Sequence, residues 1–314
     1  MSSEKSRDSP AVSCLIRAGL EAQIIFPTDP EYESIEQSYW SNTAKLGPAC
    51  IVRPTTPEQV SAAVKALVAA NEKFAVRSGG HSQVAGSNNI AGGVTIDLSL
   101  LTSIRYDDRF ETVTFGPGLR WKHVYQELQK YDRVVAGGRE SSTGVAGLIV
   151  GGGNSFHTAR TGFACDNVVS FEVVLADGQV VTASRDARSD LFRALKGGSN
   201  NFGIVVSFTM STIAGHRIWG GTTTTPKEYM PDVIQAIVNF TKNLPNNPDC
   251  SLIPVICHLP QATDISVLMG LTETKGVENP PAFAECARLP KTNDTTAFKT
   301  TLEMVSEFAH PGNH

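Results

Sequence analysis

No run in the 314-residue sequence reaches the roughly 18 consecutive apolar residues of a membrane-spanning helix. The first residues, MSSEKSRDSPAVSCLIRAGLEAQ, carry charges where a secretory signal needs an unbroken apolar core. An intracellular, cytoplasmic protein is therefore expected. Lys and Arg nowhere cluster among aromatics, and a net charge of −4 offers no basic field to a phosphate backbone, so nucleic acid is not an expected partner. The six cysteines contain no C-x-x-C pair and the seven histidines no H-E-x-x-H. Neither a redox dithiol nor a structural metal is expected, and the thiols read as buried and free. None of the glycine clusters ends in Gly-Lys-Ser/Thr, as a Walker loop requires.

What remains is the composition of an ordinary globular protein, 41% hydrophobic and 18% charged, at a length sufficient for two domains. After a polar leader, PACIVRP reads as a short strand and TTPEQVSAAVKALVAANE as a helix. Thr56 can cap that helix, Pro57 suits its first turn, and Gln59 stands where a capping box wants it. Val60, Val64, Leu67 and Val68 share one face, which should pack on a sheet containing the next strand, Phe74 to Val76. This β–α–β unit runs directly into Ser78-Gly79-Gly80-His81-Ser82.

GGVTIDLSLL and, after a DDR turn, ETVTFGPGLRW read as two strands of alternating character. KHVYQELQKY is a short amphipathic helix with Val124 and Leu128 on one side. The stretch 134–156 is nearly all small residues and cannot build a core alone. NVVSFEVVLADGQVVTAS is a hairpin turning at Asp177-Gly178, followed by a helix, a glycine-rich turn and another strand. From about His216 the texture changes to RIWGGTTTT, the helix MPDVIQAIVNFTKNL, the strand pair SLIPVICHL and DISVLMGLTE, and a final helix-like TAFKTTLEMVSEFA. That is the start of an antiparallel-sheet domain.

Glycines cluster at 79–80, 144–153 and 197–203, which suggests three loops converging in one domain. GPGLRW and GGGNSF give only fragments of the Rossmann fingerprint. The third possibility is a nest, in which successive N–H groups of small residues 78–82 point at an anion such as a pyrophosphate. On spacing alone, a plain turn competes equally with a phosphate cradle.

VRSGGHSQVAG, GLIVGGGNSFHTARTGFACDNVVSFEVVLADGQVV and LFRALKGGSNNFGIVVSFT together resemble the FAD-binding domain of berberine bridge enzyme-like FAD-linked oxidases, within the vanillyl-alcohol oxidase (PCMH-type) superfamily. The resemblance covers about residues 40–215. It implies an α+β fold: a PCMH-type FAD-binding domain of two α/β subdomains, followed by an incomplete antiparallel-sheet substrate domain. The expected divisions are a leader over 1–40, the FAD domain over 41–215 and a partial substrate domain over 216–314. The activity implied is hydride removal from a C–H, alcohol or amine carbon of a small organic molecule by FAD, with electrons passed to dioxygen. A tailoring step in a biosynthetic pathway would fit.

By the same resemblance, His81 is bonded covalently to the 8α carbon of the flavin. Ser78, Gly79, Gly80, His81 and Ser82 cradle the pyrophosphate, Thr143, Gly144, Gly147 and Gly153 line the flavin and ribityl chain, and Val205 touches the adenine side or ring edge through its backbone. Relatives that add a cysteinyl link carry that cysteine at a register falling near Glu140. No cysteine lies between Cys50 and Cys165, so only the histidyl link is expected. Cys165 itself reads as a small core residue. Relatives also continue through more of the substrate domain, so the chain is expected to be truncated there, with an open sheet edge that another chain or an oligomer would cover. A non-catalytic flavin-binding remnant or half of a split enzyme is the competing reading. His157, His216 and His258 are possible active-site residues that read more readily as surface or satisfied core histidines, and the sequence assigns no catalytic base.

Overall fold

The computed structural model describes residues 9–258 and 264–309. The first eight residues of the expected leader, the last residue of SLIPVICHL and the terminal PGNH with the preceding His310 lie outside them. Ser9 caps a helix, Pro10–Arg17, its Oγ accepting from the Val12 N–H at 3.2 Å. Fully buried Val12 and Leu15 bring that helix into one core with Val60, Val64 and Leu67 of the helix Pro57–Ala69. Ile24 and Ile25 then pair antiparallel with Val52 and Ile51. From residue 10 on, the polar leader is thus built into the first sheet.

That sheet has the order Ile24–Ile25, Cys50–Val52, Val94–Asp97, Phe74–Arg77. The two strands of the β–α–β unit are not neighbours. Val94–Asp97 lies between them, parallel to both, with Val94 opposite Cys50 on one side and Phe74 on the other. It is buried along its whole length, where alternation was expected, because a central parallel strand is covered on both faces. Thr56 caps the crossover helix as expected, accepting from Gln59 N–H at 3.3 Å, but the Gln59 side chain reaches back to Thr55 N–H rather than to Thr56. Val68, expected in the core, is 49% exposed at the rim of a cleft.

The second sheet is antiparallel throughout, in the order Ile104–Asp107, Thr112–Phe115, Ile204–Ser211, Val168–Val174, Val180–Ser184. The expected strands in GGVTIDLSLL and ETVTFGPGLRW therefore belong to different sheets. The partner of Thr112–Phe115 is Ile104–Asp107, whose polar, half-exposed edge residues make it read as a bend. At the centre, Phe208 stands opposite both Phe115 and Phe171. It stacks on the first at 5.8 Å between ring centroids and meets the second edge-on at 5.8 Å. The helices Trp121–Leu128 and Val145–Val150 close the same core. The second of these lies inside the small-residue stretch, where Gly144 at the N-cap supplies no side-chain cap to announce it.

A third sheet, also antiparallel, runs Cys250–His258, Ile265–Glu273, Arg217–Thr225, with Asn293–Asp294 and Ala297–Thr300 both on the far side of Arg217–Thr225. The helix Met230–Asn243 covers one face through Val233 and Ala236, which join Trp219, Val267 and Met269. The final segment is not helical throughout. Ala297–Thr300 is a strand, and Thr300 then caps Thr301–Glu307 in a capping box with Glu303. Met304 and Val305 of that helix enter the core of the second sheet, and Ser141 N–H donates to Val305 O at 3.0 Å. Arg160 adds a fork to Asp249, with Nε and Nη2 each 2.6 Å from a carboxylate oxygen. All six cysteines are free, and all but Cys257 are buried. No described helix is long and apolar enough to cross a membrane.

Phe208→Ala removes a fully buried ring that two neighbouring strands share. It should cost about 3–5 kcal/mol, read as a lowered urea midpoint with the native secondary structure retained before the transition.

Candidate functional site

The strand Phe74–Arg77 carries the chain out of the first sheet into the Ser78–Ser82 turn, which meets the Thr143–Gly144 backbone coming from the second. A Cβ placed on Gly79 would lie 2.5 Å from the Gly144 Cα, and one on Gly144 would lie 2.5 Å from the Gly79 Cα. Only two glycines permit that crossing. Arg120 fastens it: its Nη1 donates to Gly79 O at 3.3 Å and to Ser142 O, and its backbone bridges to Gly144. Gly80 (φ +66°) sits over the Arg77 guanidinium, and Gly153 (φ +78°) ends the run after the 145–150 helix.

Below the crossing opens a cleft of about 1040 Å³. All three glycine clusters reach it. Ser78, Gly79, Gly80, His81, Ser82, Thr143, Gly144, Gly147, Gly153 and Val205 all line it, as do Asn201 and Phe202 from the third cluster. Its far wall is the end of Val168–Val174 and the start of Ile204–Ser211, where a register shift between Val205 and Ser207 breaks the ladder.

The family described as FAD binding domain matches residues 48–184. The chain is 39% identical over 293 residues to the FAD-dependent monooxygenase sdcF of Emericella nidulans, covering 92% of this chain and 61% of that protein. It is 35% identical over 294 residues to the bifunctional solanapyrone synthase of Alternaria solani, covering 93% of this chain and 56% of the synthase. Residues 48–184 carry an FAD binding domain. Its fold is the PCMH type: the xylooligosaccharide oxidase of Myceliophthora thermophila C1 superposes with a TM-score of 0.81 at 26% identity, over 97% of this chain and 64% of the oxidase. The chain thus spans about six tenths of the length of the proteins it matches.

The cleft fits such a cofactor in size, at the upper end of the range for small-molecule and cofactor sites. Gly147 keeps part of that space open. It sits in the Val145–Val150 helix, yet a Cβ there would meet nothing within 4 Å, because it would project into the cleft. The hydroxyls of two of the lining residues are committed elsewhere. Ser78 Oγ donates to Pro117 O at 2.6 Å, and Thr143 Oγ1 donates to Glu140 Oε2 at 2.6 Å. Backbone amides are the donors a nest would rely on.

Sequence reasoning passed over three residues here. Arg120 is signalled only by lying in GLRW, and nothing local links it to Gly79. Glu140 was noted only as a register without cysteine. Its carboxylate accepts from Ser142 N–H, Ser142 Oγ and Thr143 Oγ1. Burial pushes its pKa up, but those hydrogen bonds and the nearby His81 outweigh burial and leave it below the ordinary carboxylate range. Trp40, in the segment read as leader, stacks on His81 with 5.0 Å between ring centroids and an interplanar angle of 23°.

None of the three other candidate histidines lines the cleft. His216 Nδ1 is 2.7 Å from Asp132 Oδ1, and His258 is exposed at the end of its strand. His157 is 7% exposed; burial, helped by Lys275 and opposed by Asp249, pushes its pKa down to about 4. Cys165 is a core residue of the second sheet, as expected.

Two outcomes follow from this geometry. Gly147→Leu should fold with unchanged or slightly raised stability, since Leu is the better helix former by roughly 1 kcal/mol, yet lose bound FAD on gel filtration. For His157, the unfolded chain takes up a proton below its ordinary pKa of 6.5 while the folded chain resists until about 4. Stability should therefore fall by up to about 3 kcal/mol as pH drops through that window, and urea midpoints of His157→Gln should be flatter across it.

Proposed function

We propose that this chain holds FAD in the cleft between its first two sheets and serves an FAD-dependent oxidase acting on a small organic molecule. The observation that carries this reading is the meeting of all three glycine clusters around one cleft, with Gly147 leaving it open. The amides of 78–82 would face the pyrophosphate. Thr143, Gly144, Gly147 and Gly153 would lie along the isoalloxazine and ribityl chain, and Val205 would offer its backbone. Residues 41–215, with 10–40 built onto them, form the FAD-binding unit in this assignment, and 216–314 belong to a substrate-binding unit.

Bound flavin supplies a two-electron acceptor that takes hydride from a C–H, alcohol or amine carbon and is returned to its oxidised form by dioxygen. The protein's part is to exclude water from the cleft, hold the ring and present His81. Similarity to a named synthase supports a tailoring step in biosynthesis. His81 is proposed as the covalent anchor, with no second link through cysteine. Forming that bond removes one hydrogen from the imidazole nitrogen and one from the 8α methyl carbon, and dioxygen takes up the two protons and two electrons as hydrogen peroxide.

The test is acid denaturation of the purified chain followed by peptide mapping. Yellow flavin should stay with the polypeptide, on the peptide containing His81, and His81→Ala should release all of it. Colourless but folded wild-type protein would overturn the reading for this chain. Flavin that binds and leaves in acid would overturn the covalent part alone.

A further inference from the structure

His81 stands on a turn whose two preceding residues are glycines. A segment far away in sequence packs an aromatic ring against its imidazole. Residues 35–44 lie as a strap along the loop 77–89. Trp40 N–H donates to Gly80 O at 3.1 Å, Thr43 Oγ1 to Gln83 O at 2.6 Å, and Tyr39 Oη to Asn88 O at 3.1 Å. From the other side, Arg77 donates to Ile35 O at 2.8 Å and to Ser38 Oγ at 2.5 Å, with its guanidinium 4.0 Å from the Tyr39 ring centre. Asn89 Nδ2 closes the far end on Ala44 O at 2.8 Å. The strap is fastened along its length without using the Trp40 side chain.

The indole is therefore free of any duty in holding the strap, and it belongs to none of the hydrophobic cores. It is 36% exposed, and its ring contact is the His81 imidazole. A large aromatic kept half in solvent on a rigid frame, parallel to one imidazole, restricts the rotation of that imidazole about its Cβ–Cγ bond. Restricting it sets which way the ring nitrogens face the cleft that His81 lines.

We propose that Trp40 is a positioning residue that fixes the plane of the His81 imidazole toward the cofactor. This rests on the assignment of the cleft to FAD and of His81 as its anchor. Misplacing a reacting group by about 1 Å can cost a hundredfold in rate, so losing the stack should slow attachment without emptying the cleft.

The experiment compares wild type, Trp40→Leu, Trp40→Phe and each change combined with His81→Ala, all as the full chain. FAD added to apo protein is followed by the rate at which flavin becomes acid-stable, and separately by the dissociation constant for FAD. Trp40→Leu should attach flavin at least roughly tenfold more slowly, and Trp40→Phe, which restores a flat ring, should recover most of the rate. In the His81→Ala background, Trp40→Leu should change the dissociation constant little, because its action runs through His81. Equal attachment rates in wild type and Trp40→Leu would overturn the proposal, as would equal defects in the Leu and Phe variants. If wild type releases all its flavin in acid, the anchor assignment fails by itself. Trp40 is then judged by the dissociation constant, where an unchanged value in Trp40→Leu overturns it and a weakening rescued by Phe and absent without His81 supports it.

Discussion

The cleft depends on one backbone crossing, that of Gly79 over Gly144. Most close contacts in a protein can relax, because the far end of a side chain swings aside. Here each glycine faces the other's main chain, and a single methyl on either would have nowhere to go. The crossing joins the end of a parallel strand in the first sheet to the loop that opens a helix over the second. It thereby fixes the angle between the two sheets at the place where the cleft begins. Arg120 secures it from behind by donating to carbonyls on both chains. Gly147, one turn further along, does the opposite job: a Cβ there would touch nothing, so its absence keeps the space clear.

What could be read from the sequence is what local chemistry dictates. The capped helix after Thr56, the Asp177-Gly178 hairpin and the glycine turn after Phe74–Arg77 are each set by residues within a few positions of one another. Partner choice between strands is not local. Val94–Asp97 enters between the strands of the β–α–β unit because the helical crossover leaves a slot there, and no residue in the crossover says so. Ile104–Asp107 hides because an edge strand needs only one apolar side, and Ile24–Ile25 because two residues carry no period at all. The final helix is the reverse case. Its capping box was present in the sequence at Thr300 and Glu303, but the uniform texture around it masked the strand that comes before.

The site shows the same division. All ten residues expected there line one cleft, since the glycine clusters mark where the backbone must stay bare. Their individual chemistry was less legible. The sequence says nothing of where the hydroxyls of Ser78 and Thr143 go, and they donate to Pro117 O and Glu140 Oε2. Small side chains at these positions serve by being small and by pinning the loops. Trp40 could not be seen at all, because its relation to His81 exists only once a segment 41 positions away has been laid along the loop.

Glu140 shows how one carboxylate can shape the loop that carries it. The resemblance leads to a thiol at this register, able to make a second bond to flavin. A carboxylate cannot form that thioether, and this one is turned inward, accepting from the amide and hydroxyl of Ser142 and the hydroxyl of Thr143. Those three bonds draw residues 140–143 into a tight bend immediately before Gly144, and they favour the ionised carboxylate despite its burial. The bend delivers Gly144 to its crossing with Gly79, and Arg120, whose Nη1 donates to Ser142 O, completes the same knot. At this register the carboxylate supports the crossing from within the protein.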